Sequence, residues 1–484
     1  MGQPSIKAGV EINSAVHAAN GVPVKIETPI AANRFGLGAR PGELERIDED
    51  PHGWLLDQLG GPSTPYSALR DLPVSADAIA DVQDVRRAQR EARNRDEDIV
   101  ERYGRVVRRH FVAQALARYQ SAAETDYPFH ERLVHFWSNH FAISADKQPM
   151  PAVAGLYENE AIRPHVAGKF EDMLIAAEQH PAMILYLDNQ RSIGPNSTLG
   201  RRANRRRSDQ EFGLNENLAR EILELHTLGV DGGYSQRDVT TFAKVITGWS
   251  IGGANDQGRF ASGEPGTFEF RDAIHEPGSQ VILGKRYAPV GVHQGESVLR
   301  DLAAHPSTAR FIATKLARHF VSDEPPADVV DRLAAAYLES GGDLPVVYEA
   351  LVNSPEAWTG LYAKYKTPHE LVVSTFRAFD HLPADGRMII GSLEMMGQVP
   401  WRPGSPKGWP DTAEQWGGAD ALYKRIEWAD TVGQLAGSGA NPVELGSAIL
   451  GPAFSRRTRT AVARAESGQQ GIALLLASPD FQRR

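Results

Sequence analysis

A chain of 484 residues with 41% hydrophobic and 23% charged content has ample material for a large core, and its formal net charge of −9 argues against a general nucleic-acid binder, which needs a basic surface. With no cysteine, disulfides, thiolate metal ligands, iron–sulfur clusters and cysteine nucleophiles are excluded. No apolar run is long enough to span a bilayer, and residues 1–30 lack the basic and apolar regions of an export signal. The sequence as written is therefore expected to stay in the cytoplasm or to leave with a partner.

Residues 1–30 read as an N-terminal arm, and 31–484 as a single large helical domain with room for a subdivision near residue 290. Gly36, Gly38 and Gly42 have the wrong spacing for a dinucleotide fingerprint and read as a turn. Arg86 to Arg109 interleaves both signs of charge, the pattern of one long helix with a solvated face. From Pro128 to Ile143 the spacing predicts a helix whose apolar arc, Leu133, Phe136, Trp137 and Phe141, contains His140, while His135 points elsewhere. His130-Glu131 followed by His135 resembles a zincin motif, but it carries one residue too many for the histidines to share a face.

Gly200 to Arg207 reads as a loop, with Arg205 and Arg206 among five arginines. It is either simply flexible or it steers an acidic substrate or partner. The next helix, Asn215 to Gly229, holds the most informative pattern. At about 100° per residue, Leu214, Leu218, Ile222 and Leu225 form a stripe, Glu221 projects within it, and His226 falls at its margin. Arg220 and Glu224 face away and suit an i,i+4 pair. A buried carboxylate needs a cation, a metal or several donors.

Ser235 with Asp238 reads as a capping box opening a helix from Gln236 to Trp249. Thr267–Phe270 and Gln280–Leu283 alternate around a Pro/Gly turn and suggest one small hairpin, with His275 in the turn. Helical spacing returns at 308–320, 328–339 and 413–437. Between 391 and 418 a Pro-, Gly- and Trp-rich loop intervenes, in which Trp409 either lines a cleft or caps the helices. The fold class is all-α, multi-helical and globular, with a small β-hairpin insertion.

Asn139-His140-Phe141, Tyr186-Leu-Asp-Asn189, the 215–229 run, Gly232-Gly-Tyr-Ser-Gln236, Thr247-Gly-Trp249, Arg34-Phe-Gly-Leu-Gly38, His275-Glu-Pro-Gly278 and the helix from Thr308 to Pro326 together resemble the bacterial "domain of unknown function 1800" family. The resemblance covers nearly the whole chain from about residue 30. It implies little about activity, because the family is named for its lack of one. It does imply a neighbour, the sulfatase-like "domain of unknown function 1501" proteins. Glu276 stands where the family usually has Asp, which lengthens that carboxylate's reach.

Two functional readings follow. In one, His140, Glu221 and His226 hold a divalent metal, zinc or iron, in a hydrolytic or oxidative enzyme, with Glu221 and His275 also catalytic and with Arg205, Arg206 and Trp409 binding substrate or partner. In the other, the chain is a non-catalytic helical partner of a sulfatase-like protein, and the Glu221 cluster is core architecture.

Overall fold

The computed structural model describes residues 24–95, 102–206, 213–253, 263–436 and 441–484, the side chains of 203–206 excepted. Helices dominate the described residues, as the 3.6-residue periodicity requires. The helices that frame the site are α1 (Tyr103–Glu124), α2 (Pro128–His140), α3 (Phe170–Gln179), α4 (Asn217–Glu221), α5 (Gln236–Val245), α6 (Pro306–Phe320), α7 (Pro368–Ala378) and α8 (Ala419–Leu435). Helices α2, α6 and α7 each open on a proline, whose missing N–H costs nothing in a first turn. Ser235 and Asp238 form the expected capping box on α5, and Thr367 with Glu370 form a second on α7.

Two apolar cores lie side by side, and α1 joins them. Its Val106, Val107, Phe111 and Ala115 belong to the larger core, with Phe129, Trp137, Phe170 and Phe320. One turn further on, Tyr119 and Ala122 enter a smaller core with Leu371, Trp428 and Phe481. Buried arginines tie the two together through backbone carbonyls. The Arg377 guanidinium donates to Gly38 O at 2.7 Å and Thr125 O at 2.9 Å while pairing with Glu43. A planar fork with five donors can satisfy so many acceptors at once, whereas an ammonium cannot.

Three sequence expectations are corrected here. The stretch 86–109 is not one helix: Arg102 is extended (φ −93°, ψ 128°) before α1 begins. Residues 198–206 are helical rather than looped. The two β segments do not pair with each other. Phe268–Phe270 pairs antiparallel with Trp249–Ile251, and Gln280–Ile282 pairs with Lys285–Tyr287, so His275 lies between two separate two-stranded sheets rather than in a hairpin turn. Alternation identified the strands, but both partners lay outside the segments that carried it.

Candidate active site

A cavity of about 490 Å³ opens between α2, α6, the first turn of α7 and the loop from Gln398 to Thr412. Such a volume holds a drug-sized molecule. The aromatic loop forms one wall. Asn139 fixes it by accepting from Trp409 N at 2.7 Å and donating to Trp409 O at 2.9 Å, and both Trp409 and Trp401 line the cavity.

Opposite that wall, His319 Nδ1 lies 2.5 Å from Asp411 Oδ2. An ionised carboxylate only accepts, so Nδ1 carries the proton and Nε2 is left as a bare acceptor. That Nε2 has no hydrogen-bond partner among the described residues and is shielded from solvent. Burial opposes the Asp411 charge, but His319, Lys364 and Arg484 outweigh it and hold the carboxyl below its ordinary range. Burial lowers His319 against the pull of Asp411, so its free nitrogen is unprotonated at neutral pH. Arg484 braces the pair from behind, donating to His319 O at 2.8 Å and standing 3.0 Å from Glu370. Glu370 also meets Arg132, so it is at once a helix cap and the centre of a buried ion cluster.

One turn before His319, Lys315 reaches the same cavity. Its ammonium donates to His140 Nδ1 at 2.9 Å, while His140 Nε2 lies 3.1 Å from His226 O. A carbonyl accepts, so Nε2 bears the His140 proton and Nδ1 is free to take the lysine's hydrogen bond. Burial, moderated by Asp411 and reinforced by Arg318 and Lys407, brings the Lys315 pKa down to about 8. Burial and the adjacent Lys315 keep His140 well below its ordinary value.

His140 and His226 are thus brought together, with ring centroids 6.1 Å apart, but not as co-ligands. His226 Nδ1 is engaged by Glu178 Oε1 of α3 at 2.7 Å, in a fully buried pair. Glu221 stays half-buried at the end of α4, where burial raises its pKa, and it does not line the cavity. The cause is backbone geometry: residues Ile222–His226 form a π-helical turn, across which the 100° count fails, and His226 swings into the core. Arg220 pairs with Glu224 as the spacing required. Among the described residues no group of three or more His, Asp or Glu is placed to hold a metal ion, and His140, Glu221 and His226 do not make one.

The remaining expected residues lie apart. His275 is buried against Phe270, its Nδ1 donating to Thr247 O at 2.8 Å, and it does not line the cavity. Arg205 and Arg206 sit at the end of the 198–206 helix, and their side chains are outside the described residues. Glu276 uses its longer reach to accept from both Asn196 N at 2.8 Å and Asn196 Nδ2 at 2.6 Å.

Residues 30–483 match the family described as Protein of unknown function (DUF1800). The chain belongs to that family. No curated protein and no solved structure matches it. Within this DUF1800 chain, sequence reasoning missed His319, Lys315 and Asp411. Lys315 and His319 are i,i+4 on one helix and therefore share a face, a signal present in Lys315-Leu-Ala-Arg-His319. His135, read as pointing away, also lines the cavity, where its Nδ1 meets His369 Nε2 at 3.0 Å.

Proposed function

We propose that this DUF1800 protein is an enzyme working by general acid–base catalysis in the 490 Å³ cavity, with His319 as base and Asp411 as the carboxylate that orients it. The observation that carries the reading is the bare, unpartnered His319 Nε2 opposite an Asp-bound Nδ1. Such an imidazole takes a proton from a substrate hydroxyl seated against it, and the resulting imidazolium is stabilised by the adjacent carboxylate. Lys315, with its pKa near 8, is suited to return a proton close to neutrality or to hold developing negative charge. The metal-dependent form of the enzyme reading lacks a ligand set among the described residues, so no step is assigned to a metal.

The test is turnover. A panel of small esters, amides and phosphomonoesters is screened against the protein, and active compounds are repeated on His319→Gln. A drop of about 10²–10⁴-fold with binding retained supports the reading; an undiminished rate refutes it.

The alternative, a helical partner for another protein such as a sulfatase-like one, has one observation in its favour. Leu422, Tyr423 and Ile426 are exposed side by side on α8. Their simultaneous change to Ser abolishes complex formation under that reading and leaves turnover untouched under the first.

A further inference from the structure

The charges that line the cavity do not cancel. Its three carboxylates are all matched: Glu370 by Arg132 and Arg484, Asp411 by Lys364 and Arg484, and Glu224 by Arg220. Of its cations, Arg132 is matched by Glu370, and Arg118 is held by Glu158 in a two-point pair at 3.0 and 2.9 Å. Three cations remain. Lys315 donates only to neutral His140, and Arg318 donates to the Asp323 carbonyl at 3.3 Å. Neither they nor Lys407 meets a carboxylate among the described residues. Lys315 and Arg318 are three residues apart on α6 and so share a face, and Arg318 and Lys407 both act on the Lys315 charge against the pull of Asp411. A protein of net charge −9 therefore gathers positive charge without an ion-pair partner in this cavity, whose lining also holds His319 and Trp409.

Lys315 is half-buried while Arg318 and Lys407 are exposed, so the charge that resists burial is that of Lys315, and an anion relieves the mutual repulsion of the three. Three cations, one of them a guanidinium fork, match a doubly charged tetrahedral oxyanion better than a single carboxylate. The indole of Trp409 offers a flat apolar surface to the rest of such a ligand. We infer that the cavity binds a small molecule carrying a phosphate monoester, with the phosphoryl oxygens on Lys315, Arg318 and Lys407 and the apolar part against Trp409. This rests on the cavity being the active site, and it names the substrate class.

The experiment is calorimetric titration of the full-length protein with phenyl phosphate, phenyl sulfate and phenol at moderate salt. Phenyl phosphate is expected to bind most tightly, phenyl sulfate less so and phenol least. Lys315→Met and Arg318→Met are each expected to weaken phenyl phosphate by about tenfold or more without changing phenol. Lys407→Met lies on an exposed loop residue, where folding is not at stake, and it is expected to act in the same direction. Equal affinity for the three probes, no binding of phenyl phosphate, or unchanged affinity in folded variants overturns the inference. His319→Gln separates it from the catalytic reading: phenyl phosphate binding that survives in this variant upholds the anion site, even if no ester is ever turned over.

Discussion

Asp411 and His319 stand 2.5 Å apart across 92 positions of sequence, and this single contact decides which nitrogen of the imidazole is free. Asn at 411 can present its amide N–H to Nδ1 and so invert the tautomer. In ¹⁵N-histidine NMR spectra of the wild type, His319 is expected as the Nδ1–H form. In Asp411→Asn that resonance moves to the Nε2–H form, with turnover of any identified substrate falling about 10²–10⁴-fold. A wild-type Nε2–H tautomer contradicts the assigned base.

Lys315 is held charged in a place that resists charge. Its folded pKa near 8 lies below the ordinary 10.5, so its stabilising contribution exists only above the unfolded value and is gone by pH 7, where the ammonium is a cost. Lys315→Met is therefore expected to raise unfolding stability at pH 7 by about 1–3 kcal/mol, read from urea midpoints at constant m. A loss of stability means the ammonium is better satisfied than its hydrogen bond to His140 indicates.

Acid should weaken the fold in two stages. Burial lowers His135, His140, His319 and His369, so each folded-state pKa lies below 6.5. Burial works against the Glu131 and Glu370 charges, but arginine and histidine neighbours hold both carboxyls well below 4.5. In every case the unfolded chain binds more protons. The contribution of these groups is full above about pH 6.5, starts to decline there as the imidazoles are drawn to protonate, and falls again below about pH 4.5 as the carboxylates follow. Thermal midpoints from pH 8 to pH 3.5 test this, and a flat profile between pH 7 and pH 5 contradicts it.

Metal content discriminates between the two chemistries. Elemental analysis of protein purified without an affinity metal is expected to find substoichiometric zinc and iron, unchanged in His140→Ala. A stoichiometric ion lost from folded His226→Ala would return the metal reading to first place.

Gly408 tests the aromatic wall. Its φ is +81°, and an added Cβ would come within 2.3 Å of Asn139 O. Gly408→Ala is expected to cost about 1–3 kcal/mol and to dislodge Trp409, seen as a shift in tryptophan emission. An unchanged spectrum and midpoint mean the loop is not pinned at Asn139.

What was legible in the sequence was local. Helical periodicity, the Ser235–Asp238 cap and the Arg220–Glu224 pair each need only residues within one turn of each other, and each stands as read. The 222–226 segment defeated the helical count because a π turn leaves no mark in the hydrophobic pattern, so Glu221 and His226 were given one face that they do not share. His226 found its carboxylate 48 positions away, in Glu178. The His319–Asp411 pair was invisible for the same reason. Asp411 sits in an irregular loop with no periodicity to aim it, and only the fold states that it faces α6.

The distances in sequence also set an order in time. Arg132 meets Glu370 across 238 positions, and the base meets its carboxylate across 92. At a synthesis rate of roughly 5–20 residues per second, Arg132 leaves the ribosome on the order of tens of seconds before the Glu370 that neutralises it, and His319 about ten seconds before the Asp411 that orients it. For that interval the nascent chain carries half of the cavity lining, with Arg132 unpaired and His319 without its carboxylate. The pairs of the cavity lining are therefore complete only after the 398–412 loop has been made, so this half of the molecule acquires its charge partners during synthesis rather than at the end of folding alone.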